Sequence, residues 1–110
     1  MSDTAPSSLT SANFDGVASR GVVVVDFWAV WCGPCQRQAP VFEKVAQQLG
    51  QYARFAKVDI DAEPQLAARF RVTSIPTLMV LKDGVPVDGS VGLTSEEALA
   101  AMVRRALGIA

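Results

Sequence analysis

Cys32 and Cys35 are the only two cysteines in a chain of 110 residues, and only Gly33 and Pro34 stand between them. Thiols at that spacing close a small ring at modest entropic cost, so the bond between them can be made and broken instead of serving as a permanent staple. The thiolate is the reactive form, and an unperturbed cysteine is mostly protonated near neutrality. Something beside the pair must therefore favour the anion. A third group lies close in sequence, because Asp26 interrupts the apolar run VVVVDFWAVWCGPC, residues 22–35. A carboxylate in so apolar a setting is disfavoured as an anion, so its pKa is expected to rise toward the working pH, where it can accept a proton. The chemistry open to these three side chains is disulfide exchange coupled to proton transfer, or ligation of a metal by two thiolates.

The surrounding pattern indicates what positions them. VVVVDF is short, continuously apolar and β-branched, as a strand buried on both faces should be. Downstream, Phe42, Val45, Ala46 and Leu49 fall at helical spacing and predict a helix ending near Gly50. Strand, then CGPC, then helix puts Cys32 at a helix start, where unpaired backbone N–H groups and the positive end of the macrodipole favour a thiolate. Pro34 suits the first turn, where its missing N–H would have no intrahelical partner.

YARFAKVDI reads as a second strand, with Phe55, Lys57 and Asp59 on one side and Ala56, Val58 and Ile60 on the other. EPQLAARF reads as a short helix, and a weaker helix is expected around Ser11–Ser19. This first half has the alternation of a parallel crossover unit. The second half differs: TLMVLKDGVPVDGSV predicts a hairpin around Lys82-Asp83-Gly84. Thr94 with Glu97 then makes a capping-box pattern before a helix carrying Leu99, Met102, Val103 and Ala106. One domain spanning residues 1–110 is expected, with residues 1–8 as a flexible N-terminal extension.

Composition removes several function classes. Half of the residues are hydrophobic, and a domain this size should bury roughly 65% of the surface its unfolded chain exposes, enough for a core without disulfides. Eleven acidic against ten basic residues leave no basic footprint for nucleic acid and no polybasic segment for an anionic membrane. The most apolar run, Val22 to Trp31, is too short for a membrane helix. The first twenty residues have neither a positive leader nor an apolar block, so a cytoplasmic location is expected.

FWAVWCGPC preceded by Asp26, Pro40 in the following helix, Lys57 in the next strand, SIPT at Ser74–Thr77, KDG at Lys82–Gly84, and Gly92 together resemble the thioredoxin family. The match runs in order from about Phe14 to the C-terminus, which is far more specific than a bare CxxC. The resemblance implies an α/β thioredoxin fold, a central mixed sheet with helices on both faces. It implies a protein-disulfide reductase with no bound cofactor, whose redox-active group is the Cys32/Cys35 disulfide. Cys32 would attack a target disulfide, and Cys35 would resolve the mixed disulfide and release the reduced target. Asp26 would accept the Cys35 proton, with Lys57 as its partner; read alone, these two residues fit a structural ion pair better, and the whole constellation reverses that preference.

The resemblance also implies that Pro76 is a cis-proline set against the disulfide and that the Ile75 backbone pairs an extended segment of the target. Trp31, Val91 and Gly92 would complete an apolar docking surface around the loop Trp31-Cys32-Gly33-Pro34. Pro40 would kink the long helix, and Trp28 would pack behind the site. The implied partners are disulfide-containing target proteins and an NADPH-dependent flavoprotein reductase, with the chain acting as a monomer.

Two positions depart from the family pattern. Gln36 stands where many members have lysine, and Val30 where a polar residue or proline is frequent, so a less positive, more apolar site is expected unless Arg37 or Arg71 compensates. Three other functions remain open at this level. A disulfide oxidase or isomerase would need an oxidising compartment, and its loop often carries a histidine, which this chain lacks. A metal or iron–sulfur module would need more ligands than two thiolates. A non-catalytic binding module would keep the fold for its surface alone.

Overall fold

The computed structural model describes residues 5–110. Five strands form one mixed sheet in the order β1-β3-β2-β4-β5. These are β1 (Ser7–Ser8), β2 (Val22–Trp28), β3 (Arg54–Asp59), β4 (Thr77–Lys82) and β5 (Val85–Val91), interleaved with helices α1 (Phe14–Ala18), α2 (Gly33–Leu49), α3 (Pro64–Arg69) and α4 (Glu96–Leu107). β1, β3 and β2 run parallel, and β4 and β5 are antiparallel to their neighbours.

β2 occupies the centre, paired on both sides, and its residues from Val22 to Phe27 are buried, as the unbroken apolar run requires. Alternation along the strands divides the core in two. Val22 and Val24 join Phe55, Leu78 and Val80 beneath α2 and α4, which contribute Phe42, Val45 and Ala46, and Leu99, Met102 and Val103. Val23, Val25 and Phe27 face the opposite way, with Ala56, Val58 and Leu81, against Phe14 of α1 and Leu66 of α3. Asp26 shares the side of Val22 and Val24, so a carboxylate sits in the face covered by α2 and α4.

The start of the chain differs from expectation. Residues 1–4 lie outside the described residues, whereas Ser7 and Ser8 pair with Ala56 and Lys57 as a short parallel edge strand, followed by the buried Leu9. The start of α4 differs too. Ser95, not Thr94, is the N-cap, its hydroxyl accepting from the Ala98 N–H at 3.2 Å. Both residues can cap a helix, and Thr94 is engaged elsewhere, as described below.

The hairpin closes as predicted between Lys82 and Val85, with Asp83 and Gly84 both at positive φ, the geometry a tight right-twisting turn requires. Further along β5, Gly89 is fixed by lack of room. A Cβ built there would stand 2.8 Å from the Leu78 carbonyl oxygen of β4. Because a strand backbone cannot retreat without breaking its ladder, Gly89→Ala is expected to cost about 1–3 kcal/mol, read as a lower urea midpoint at unchanged slope.

Candidate active site

The redox pair lies at the junction of β2 and α2. Cys32 is the N-cap of α2 with an extended backbone, and Cys35 lies in the first turn, with Gly33 and Pro34 between them. The two are joined by a disulfide, their Cα atoms 5.2 Å apart. The Cys32 Sγ accepts a hydrogen bond from the Cys35 backbone N–H at 3.1 Å. A sulfur in the N-cap position takes the place of the usual capping oxygen, and the N–H group that meets it would hold a thiolate more tightly than a thiol. Pro34 fills the first turn at no cost in hydrogen bonds, and α2 continues through Pro40 as one helix.

Exposure does not separate the two sulfurs: Cys32 is 4% exposed and Cys35 2%. What separates them is position, one at the cap and one inside the first turn. Around them Trp28, Ala29, Ile60 and Ile75 form a small apolar cluster. The Ile75–Pro76 peptide bond is cis, and the Pro76 carbonyl accepts from the Gly92 N–H at 2.8 Å, which ties the segment before β4 to the end of β5. Gly92 takes a positive φ there.

Trp31 and Val91 are 68% and 70% exposed, and Val30 is 70% exposed, so large apolar side chains face outward around a nearly buried disulfide. The Trp31 indole N–H donates to Asp61 at 2.7 Å, a partner the sequence did not single out. Gln36 turns back to donate to the Val30 carbonyl at 3.2 Å. Arg37 and Arg71 are both exposed.

Asp26 is fully buried, and neither of its carboxylate oxygens has a hydrogen-bond partner among the described residues. Burial raises its pKa from 3.8 to about 6, an upward push that the positive charge of Lys57 only partly opposes. Lys57 is directly opposite Asp26 in the β2–β3 register. Its ammonium lies 4.8 Å from the centre of the Trp28 ring, and the pair is absent from the ion pairs of the described residues. Lys57 thus acts on Asp26 through space, with its charge shared with an aromatic face.

Sequence comparison places this arrangement. The family model described as Thioredoxin matches residues 5–105. The chain belongs to the thioredoxin family. A thioredoxin from Staphylococcus saprophyticus is 48% identical over 99 residues, covering 90% of this chain and 95% of that protein. One from Bacillus subtilis is 46% identical over 98 residues, covering 89% and 94%. Among solved structures, a single-residue mutant of a thioredoxin from Halobacterium salinarum superposes with a TM-score of 0.90 at 37% identity, covering 100% of this chain and 97% of that one.

Membership of the thioredoxin family makes the protein a thiol–disulfide oxidoreductase that reduces protein disulfides by dithiol–disulfide exchange, with the cysteine pair itself as the redox group. Thioredoxins act on disulfide-containing proteins and are recharged by a reductase. Among the described residues, no three His, Cys, Asp or Glu side chains are grouped to hold a metal, and no helix is long and apolar enough to cross a membrane.

A buried contact of α2 also lay beyond the sequence reading. Gln38, on the buried stripe of α2 between Cys35 and Phe42, is fully buried and bonded to Thr94. The available signal was a polar residue one helical turn after Cys35, in a row of otherwise apolar inward positions.

Proposed function

We propose that Cys32 is the nucleophile, Cys35 the resolving thiol and Asp26 the group that takes the Cys35 proton. The observation that carries this reading is the position of Cys32 at the N-cap, its sulfur facing a backbone N–H, with Cys35 one turn inside. The Cys32 thiolate attacks one sulfur of the target disulfide; an S–S bond forms between chain and target, and the other target sulfur leaves as a thiolate. Cys35 then gives up its proton and attacks Cys32, restoring the internal disulfide and releasing the second target sulfur. Two electrons pass to the target, and the Cys32/Cys35 dithiol is oxidised.

Asp26 suits the proton step because its pKa, near 6, leaves it ionised yet weakly solvated at neutral pH. Lys57 keeps that value from rising further. Trp31, Ile75, Pro76, Val91 and Gly92 form the docking surface, with the Ile75 backbone pairing an extended target segment. The reductase is an NADPH-dependent flavoprotein, and the chain works as a monomer in the cytoplasm, where thiols are kept reduced.

The test is NADPH consumption in the presence of a flavoprotein thioredoxin reductase and insulin as the disulfide substrate. Catalytic consumption that requires this chain is expected. Turnover with dithiothreitol but none with NADPH and the reductase would overturn the reductase assignment. On the docking surface, Val91→Asp places a charge where apolar contact is made and is expected to raise the KM for insulin about tenfold, a loss of about 1.4 kcal/mol in binding. An unchanged KM would remove Val91 from the interface.

A further inference from the structure

Gln38 and Thr94 are 56 residues apart in sequence, yet they meet through a pair of bonds that copies a rung of a β-ladder. The Gln38 side-chain N–H donates to the Thr94 carbonyl at 3.0 Å, and the Thr94 backbone N–H donates to the Gln38 side-chain oxygen at 2.8 Å. Gln38 is fully buried and Thr94 is buried with it. The Thr94 hydroxyl is bonded to the Ser90 hydroxyl at 2.7 Å and donates to the Gly92 carbonyl at 3.2 Å. The turn that follows β5 is thus pinned at two points, by Gly92 to Pro76 and by Thr94 to the helix that carries both cysteines. Between these pins the apolar Leu93 is held outward, with Val91 just before them.

We propose that Gln38 is a positioning residue for target docking, holding the Val91–Thr94 segment at a fixed place relative to Cys32. The inference rests on the reading that Val91 and Gly92 receive the target. A buried amide that satisfies both backbone groups of one residue is specific in direction and distance, because a slip in either leaves a buried donor or acceptor unpaired. An apolar side chain of the same length fills the space and fixes nothing. Without the clamp, Thr94 must reach water for its N–H and C=O, and the segment moves away from α2 as it does so. The redox pair stays where it is, since Cys32 and Cys35 are held by the first turn of the helix.

The experiment compares the native protein with Gln38→Met and Gln38→Leu in the reduction of insulin, with dithiothreitol as the regenerating reductant. Methionine keeps the length and packing of the side chain, which guards against loss of the fold. Amide hydrogen exchange at Thr94, measured against that of Leu99 in α4, reports whether the clamp has opened. The expected result is faster exchange at Thr94 but not at Leu99, a KM for insulin raised about tenfold, kcat within twofold and an unchanged Cys32/Cys35 reduction potential. Faster exchange with an unchanged KM would overturn the proposal, as would a joint change in KM, kcat and potential, which marks a merely structural role. If Val91→Asp also leaves KM unchanged, the docking reading itself fails; if only the Gln38 variants do, the clamp alone is rejected.

Discussion

Cys35→Ser should capture a protein disulfide once and fail to let it go. Cys32 at the α2 N-cap retains the backbone N–H that favours its thiolate, so the first attack proceeds and a mixed disulfide forms. A serine hydroxyl at position 35 cannot displace a sulfur from Cys32, so the intermediate persists. Turnover with insulin is expected to fall by more than about a thousandfold, as when one member of a jointly acting pair is removed. The trapped species would appear in mass spectrometry as the sum of chain and target, dissociating on addition of dithiothreitol. Cys32→Ser should give the same loss of turnover without the adduct. Capture by the Cys32→Ser chain, or sustained turnover by the Cys35→Ser chain, would reverse or refute the assigned roles.

Asp26→Ala is expected to move activity and stability in opposite directions. In the native state Asp26 has a pKa of about 6 against 3.8 for the free group. Between those values the unfolded chain has released the proton and the folded chain still holds it. The native state therefore binds more protons, and stability falls as pH rises through this window, levelling off above about pH 6. The full loss is roughly 3 kcal/mol. Alanine abolishes it and leaves a small cavity costing about 1 kcal/mol, so the variant should be about 2 kcal/mol more stable at pH 8 and no more stable at pH 4. Urea unfolding at a series of pH values measures this directly, and a wild-type curve that rises between pH 4 and 6 would contradict it.

On the kinetic side, loss of the proton acceptor should slow target reduction near neutral pH about a hundredfold, at the low end of what a positioned base contributes. The deficit should shrink as pH approaches the pKa of an ordinary thiol, because Cys35 then ionises unaided. Equal rates for the two proteins at pH 7 would reduce Asp26 to a buried carboxylate with no part in the exchange.

The features that could be read from sequence are those in which local pattern and tertiary role coincide. The run of valines before Asp26 meets a strand paired on both sides, and the stripe Phe42, Val45, Ala46, Leu49 meets the underside of α2. Alternation sets Phe55 and Lys57 on one face of β3, and the register places Lys57 opposite Asp26, the partner that the family resemblance implies. β1 carries no such pattern: two serines become a strand only because β3 offers a free edge. The cap of α4 moved one residue because Thr94 and Ser95 are chemically equivalent as caps, and the choice is made by Gln38, 56 residues away. Trp31 with Asp61 and Lys57 over Trp28 are likewise long-range pairings between side chains, which periodicity cannot register.

The central claim is that the Cys32/Cys35 pair donates electrons to protein disulfides, and its most direct test is the reduction potential of that pair. The protein would be equilibrated in glutathione buffers of graded ratio, with fluorescence of Trp28 and Trp31 reporting the state of the adjacent sulfurs, which lie in a cluster with Trp28. The sign of the difference in potential sets the direction of exchange. A value more reducing than the glutathione couple is predicted. A more oxidising value, or a pair that does not form its disulfide reversibly, would contradict the assignment as a reductase.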